Sequence, residues 1–321
     1  MKKRILALFL LITLLGTVLC GCGDGSTATG SEEQTASGSA GETVQGGEIT
    51  VCISQDLDDS LDPHHAVAAG TKEVMFNVFE GLVKPNSDGE LIPAVAESYE
   101  VSDDGTVYTF HLREGVRFHN GETVTADDVV YSINRCADAT GGTRLVEAFS
   151  VIRSVEAADE HTVVITIDKA NHEFISYLTT AIIPRDYTHQ DTAPVGTGPF
   201  KFVSRTAQDT IVLERFDGYW GTPAYLDKVT FKVIENADSL VLSLQSGAVD
   251  LCPHLTSTQV SQLGDGFQVL EGTMNLVQAL YLNNAVEPFN NEMVRQALCY
   301  AIDKQAILDL VSDGHGKALG S

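Results

Sequence analysis

The sequence predicts a mixed α/β fold, and three observations carry that reading. Short β-prone runs alternate irregularly with segments of helical spacing. Apolar residues make up 43% of the 321, an ordinary globular share and enough for about two domains with real cores. No segment repeats, and the irregular alternation argues against a barrel or a simple doubly wound sheet.

Residues 48–54 follow a Gly-Gly break and read as a strand. Residues 68–78 have helical spacing, with Val74, Met75 and Val78 on one side. Residues 79–83 lead into the turn Pro85-Asn86-Ser87-Asp88-Gly89. Residues 107–112 are strongly β-prone and follow the Asp103-Asp104-Gly105 turn, the Glu-rich stretch before them reading as a turn that feeds the strand. Thr125-Ala126-Asp127-Asp128 opens a helix in the manner of a capping box, with Val129, Val130 and Ile133 behind it. Residues 151–156 and 162–167 read as paired strands around Asp159-Glu160, and 174–180 as a short helix. A Pro- and Gly-containing loop over 184–199 precedes strands at 200–204, 210–215 and 229–233. Helices are expected at 239–245 and 258–263, and a strand at 277–283. The longest helix is expected over 292–311, burying Val294, Ala297, Leu298, Ala301 and Ile302.

Charge narrows the function. Against 20 Lys+Arg stand 44 Asp+Glu, a formal net charge of -24. Such a surface repels phosphate backbones and excludes nucleic-acid binding by charge. One segment alone raises the question of a membrane. Lys2, Lys3 and Arg4 precede an uncharged run over residues 5–19, a pattern that reads as a secretory signal and is short for a span. Leu19-Cys20-Gly21-Cys22 then resembles a bacterial lipobox with Cys22 as the lipidated residue, a membrane anchor. Residues 23–47 are dominated by Gly, Ser, Thr, Ala and Glu and read as a flexible linker. The cysteines of the body, Cys52, Cys136, Cys252 and Cys299, are widely spaced without a CxxC, and are expected to be separate thiols.

Catalytic signatures are missing. There is no HExxH, GxSxG or GxxxxGK[ST], and Gly196-Thr197-Gly198 runs into Pro199 and Phe200 without the third glycine of a dinucleotide loop. His64 and His65 are adjacent and make a poor metal pair. His111 and His119 read as structural or surface residues, and Trp220, the single tryptophan, as packing. No enzyme, cofactor or metal is therefore implied.

Several stretches of the body together resemble one family. They are Ser60-Leu61-Asp62-Pro63-His64, Phe79-Glu80-Gly81-Leu82-Val83, and a continuous run from Pro93-Ala94-Val95-Ala96-Glu97 to Arg117-Phe118-His119-Asn120-Gly121. Thr125-Ala126-Asp127-Asp128-Val129-Val130-Tyr131-Ser132, Gly196-Thr197-Gly198-Pro199-Phe200, Asp217-Gly218-Tyr219-Trp220, Ser246-Gly247-Ala248-Val249-Asp250 and Ala301-Ile302-Asp303-Lys304 extend the likeness over residues 47–317. The chain resembles the family 5 extracytoplasmic solute-binding proteins, the peptide, nickel and opine binders of ABC importers.

That resemblance implies a periplasmic-binding-protein-like class II fold: two lobes and an extra domain, closing on ligand by hinge motion. The layout expected is signal peptide 1–21, lipidated Cys22 and linker 22–47, lobe I from 48–79 and 195–270, extra domain 80–194, and the start of lobe II from 271–321. Family chains continue further, so the second lobe is expected to be incomplete here. By position, the ligand-binding residues implied are His65, Ala66, Val67, Ala68 and Ala69, then Cys252, Pro253 and His254, with Tyr281 and Asn283 at the entry to lobe II. The implied ligand is a peptide or other small solute, and the implied partners are importer permease subunits and the membrane, with the protein an extracytoplasmic monomer. A nickel-complex binder using His65 or His254, a peptide sensor, an extracellular hydrolase and a truncated remnant that binds nothing are the rival readings.

Overall fold

The structure is a computed structural model and describes residues 44–138, 142–272 and 277–319. The expected signal, Cys22 and the linker as far as residue 43 lie outside the described residues. In chain order the elements are β1 (Glu48–Ile53), α1 (Ala69–Met75), β2 (Val83–Pro85), β3 (Leu91–Pro93), β4 (Ala96–Val101), β5 (Val107–Leu112), α2 (Ala126–Ala137), a 3-10 turn (Glu147–Val151), β6 (Ile152–Asp159) and β7 (Thr162–Ile167). Then follow α3 (Phe174–Tyr177), β8 (Phe200–Thr206), β9 (Thr210–Arg215), β10 (Lys228–Val233), α4 (Ala237–Gln245), α5 (Ser257–Ser261), α6 (Glu292–Ala301) and α7 (Lys304–Ser312).

Two four-stranded sheets organise these elements. The first runs β1-β10-β9-β8, with β1 parallel to β10 and the other pairs antiparallel. The alternation in β9 and β10 sends Ile211, Leu213, Val229 and Phe231 into a core shared with Leu61, Val74, Val78 and Phe200. The second sheet, β4-β5-β7-β6, is antiparallel throughout. Its inner residues Phe110, Val163 and Ile165 pack with Val129 and Ile133 of α2 and with Phe149 and Phe174. A third, smaller core gathers Cys52, Ile234, Leu240, Leu244 and Val249. The capping box of α2 forms as the sequence predicts: Thr125 and Asp128 satisfy each other's backbone.

Four differences from the sequence expectations are physical. Residues 96–101, where the sequence predicts no strand, form β4, because their backbone pairs with β5 and Tyr99 packs on Phe110. The expected strand over 277–283 is absent: among the described residues no strand lies beside it, and a lone extended segment has no ladder to join. The expected helix over 292–311 is two helices. Ile302 leaves helical geometry, and the Asp303 carboxylate caps α7 by accepting from the Ala306 N–H at 3.0 Å. Its expected buried side is not buried: Val294, Leu298 and Ile302 are half-buried, and Ala297 and Ala301 are exposed.

The two larger cores are tied together at a few points. Arg135, on α2, donates to both oxygens of Asp62, at 2.9 and 2.6 Å. Its Nη1 also donates to Nδ1 of His64 at 2.7 Å, and Nε2 of His64 donates to the Ala181 carbonyl at 2.8 Å. Those partners fix one neutral tautomer. Burial, with the Arg135 charge behind it, pushes the His64 pKa down to about 4. For Asp62, burial works to raise the pKa, but Arg135 and the His64 N–H outweigh it and hold the carboxyl below its usual range. A second tie explains Gly196 and Gly198: a Cβ at either would collide with the backbone of residues 77–78. His119 lies over the same segment. Its Nδ1 accepts from Gly196 N, its Nε2 donates to the Gly198 carbonyl at 2.9 Å, and burial pushes its pKa down to about 4. Glu80 forms a third tie, accepting from Lys84, Tyr219 and the indole of Trp220. His119 and Trp220 are thus packing residues, as the sequence predicts, whereas His111 sits exposed on β5.

Arg135→Ala strands the Asp62 carboxylate without its partner and is expected to cost about 3 kcal/mol of unfolding free energy in urea titrations; an unchanged midpoint would contradict the tie. His64 and His119 remain neutral in the folded chain below the ordinary histidine pKa of 6.5. The unfolded chain therefore binds more protons between pH 6.5 and about 4, and stability declines as pH falls through that window, on the order of 2 kcal/mol per imidazole. An NMR titration is expected to show two imidazoles still neutral at about pH 5; ordinary titration of both would refute this.

Candidate functional site

The segment implied for binding, 65–69, is the entry to α1, and one carboxylate shapes it. Asp58 Oδ2 accepts from the backbone N–H of Val67 and of Ala68, both at 3.0 Å. Asp58 N donates to the Thr71 hydroxyl at 2.8 Å, and the Asp58 carbonyl accepts from Arg205 at 2.7 Å. The Ala68 N–H, with help from Val67 and Thr71, holds the Asp58 carboxyl below its usual pKa. His65 and Ala66 donate their N–H groups to the Asp62 carbonyl. The backbone donors of residues 65–68 are therefore satisfied inside the chain. What the corner offers outward is side chain: exposed His65 and Val67, the small half-buried Ala66 and Ala68, and exposed Ala69.

The second implied segment joins the same corner from the other side. Leu251 bridges Val51 in parallel, beyond the edge of β1, and its carbonyl accepts from Cys52 N at 2.8 Å. Asp250 reinforces the junction by accepting from Thr50 N at 2.7 Å. The chain then turns through Pro253 and His254, where His254 takes a left-handed φ of 60°. That turn brings Nε2 of His254 to the carboxylate of Glu73 on α1, at 3.1 and 3.2 Å. Cys252 and Pro253 are half-buried beside it, while His254 stands about half exposed. The residues 65–69 and 252–254, far apart in sequence, are thus linked through α1.

Tyr281 and Asn283 are not brought to this corner by any bond among the described residues. Tyr281 is 87% exposed. Asn283 turns its side chain back to accept from Ala285 N at 3.0 Å.

Two open hollows lie elsewhere. One of about 680 Å³ sits on α2, lined by Tyr131, Asn134, Arg135, Ala137 and Asp138. Its cationic lining, Arg135, is committed to Asp62 and His64. The other, about 330 Å³, lies between the β4–β5 turn and residues 170–175. Neither includes a residue implied for binding. Among the described residues no group of three or more His, Cys, Asp or Glu side chains is placed to hold a metal ion, and no helix is long and apolar enough to cross a membrane.

Asp58, Arg205 and Glu73 were not legible as site-shaping residues. Asp58 lies in an acidic run, Asp56-Leu57-Asp58-Asp59, where nothing in the spelling separates the inward carboxylate from its exposed neighbour. The corner offers small apolar surface, the imidazoles of His65 and His254 and the Glu73 carboxylate.

Residues 90–321 match the family of bacterial extracellular solute-binding proteins, family 5 Middle. The chain is 30% identical to heme-binding protein A of Haemophilus influenzae, over 93% of this chain and 60% of that protein. It is 31% identical to the glutathione-binding protein GsiB of Pectobacterium atrosepticum, over 80% of this chain and 52% of that protein. Among solved structures, the periplasmic binding protein DppA of Helicobacter pylori in complex with peptide STSA aligns with a TM-score of 0.72 and 29% identity, covering 86% of this chain and 60% of that one. This chain therefore spans only about half to three fifths of these relatives' lengths. The mixed α/β architecture is that of the two-lobed, class II periplasmic binding proteins, and the chain belongs to the family 5 bacterial extracellular solute-binding proteins.

Proposed function

We propose that this chain belongs to a lipid-anchored binding protein that captures a peptide outside the cytoplasm and delivers it to the permease subunits of an ABC importer. The family match over residues 90–321 carries the reading. The relatives named for heme and glutathione and the neighbour holding a peptide set the range of ligands to test. Peptide is favoured because glutathione is itself a peptide and STSA a second one. The corner built by 65–69, α1 and 252–254 forms one wall of the binding cleft, with Tyr281 and Asn283 on the approach to the second lobe. Lobe I takes 48–79 and 195–270, and the extra domain 80–194. The separate cores around Phe231 and Phe110 support that division. The protein acts as a monomer and performs no catalysis; uptake draws its energy from the importer's ATPase.

The test is a thermal-shift screen of the full chain with mixed dipeptides and tripeptides, glutathione, heme and a nickel–histidine complex. At about 100 times the Kd, a ligand that binds the folded state is expected to raise the Tm by about 5 °C. A shift with the peptide arms alone supports the proposal. A shift with nickel–histidine that disappears in the His65→Ala/His254→Ala double variant moves the assignment to a metal complex.

The anchor is tested separately. Cys22→Ala is expected to abolish incorporation of a palmitate analogue and to release the protein from the membrane fraction. Continued labelling of that variant would place the lipid elsewhere.

A further inference from the structure

We propose that Cys52 and Cys252 are a closable dithiol, a site of disulfide formation that locks the binding corner to the first sheet. The sequence gives no hint of it, because 200 residues of chain separate the two and neither stands in a CxxC. The fold brings them together. Val51 and Leu251 are partners in a parallel bridge, and the Cys52 N–H donates to the Leu251 carbonyl at 2.8 Å. Cys52 follows Val51 on β1, and Cys252 follows Leu251 just past the isolated bridge. Neighbouring strands run about 4.8 Å apart, within the Cα separations that a disulfide spans. Cys252 packs against the small core that buries Cys52, and each thiol influences the other's pKa. Both are unlinked in this structure, as are Cys136 and Cys299.

The chemistry needs an outside disulfide, such as oxidised glutathione or an exchange-active protein disulfide. Cys252 is the entry point, being half-buried where Cys52 is 1% exposed. Its thiolate attacks one sulfur of the outside disulfide and expels a thiolate. Cys52, once deprotonated, attacks Sγ of Cys252 and expels the second. The two protons from the cysteines go to the two leaving thiolates, so two thiols are released for one bond formed. Burial raises the pKa of both cysteines, which makes the closure slow.

The bond would fasten the turn carrying His254 directly to β1, from which that turn already hangs by Leu251 and Asp250. Its persistence in the cell rests on the extracytoplasmic placement proposed above, since oxidising compartments preserve such bonds. Its formation in purified protein does not, so the two readings fail separately.

The experiment is to incubate the reduced full chain with oxidised glutathione at about pH 9.5, which raises the thiolate fraction of cysteines whose pKa lies above the ordinary value of about 8.5, and to digest it without reduction. Expected is a peptide containing Cys52 joined to one containing Cys252, an intact mass lower by about 2 Da, and a Tm several degrees above that of the reduced chain. Cys52→Ser and Cys252→Ser should each abolish the joined peptide, whereas Cys136→Ser and Cys299→Ser should leave it. A stable glutathione adduct on Cys252 with Cys52 still free, a bridge through Cys299, or two unreacted thiols after prolonged incubation would each overturn the proposal.

Discussion

The ion pair between buried Asp62 and half-buried Arg135 sets the geometry on which the rest of the structure depends. Asp62 belongs to the loop that leads into α1, and Arg135 to the helix at the heart of the second core. A buried pair of this kind adds little net stability over a well-packed apolar contact, but it is intolerant of misplacement. Two parallel hydrogen bonds fix the distance and the rotation of the guanidinium at once. His64 then uses Arg135 on one ring nitrogen and the Ala181 carbonyl on the other. The loop therefore has one position relative to α2, and the entry to α1 has one position relative to the loop.

From there the corner follows in short steps. Asp62 orders residues 64–66 through its side chain and carbonyl, and Asp58 orders 67–71. Glu73 is then presented where His254 can meet it. On the function proposed above, a surface assembled this way is set before a ligand arrives, which lowers the ordering cost that binding must overcome. The carboxylates that do this internal work are part of the large acidic excess, so that excess is more than a solvated coat.

Local patterning made much of the fold legible. The strands at 107–112 and 162–167, the capping box at Thr125 and the turn at Pro85–Gly89 carry their signals within a few residues. What was not legible depends on distant partners. The strand at 96–101 exists because β5 lies alongside, and the sequence of 277–283 invites a strand that finds no neighbour among the described residues. Ile302-Asp303 was hidden for a different reason, because a capping aspartate inside a helical apolar pattern looks like one more exposed charge. For the site, position within a family pattern pointed to 65–69 and 252–254. It did not disclose that Asp58 consumes the backbone donors of the first segment, nor that Glu73 joins it to the second.

The parallel pairing of β1 with β10 has a consequence for how the chain acquires its shape. Glu48 lies opposite Lys228, and Gly47 is bonded to Asp227 across 180 residues of sequence. During synthesis β1, the first strand among the described residues, has no partner until β10 and nearly all of the first sheet have followed it. The second sheet, by contrast, closes from strands within residues 96–167 and can form while β1 waits. Such long-range closure is intrinsically slow. The chain therefore passes through a stage in which the second sheet is closed while β1 is still without its partner.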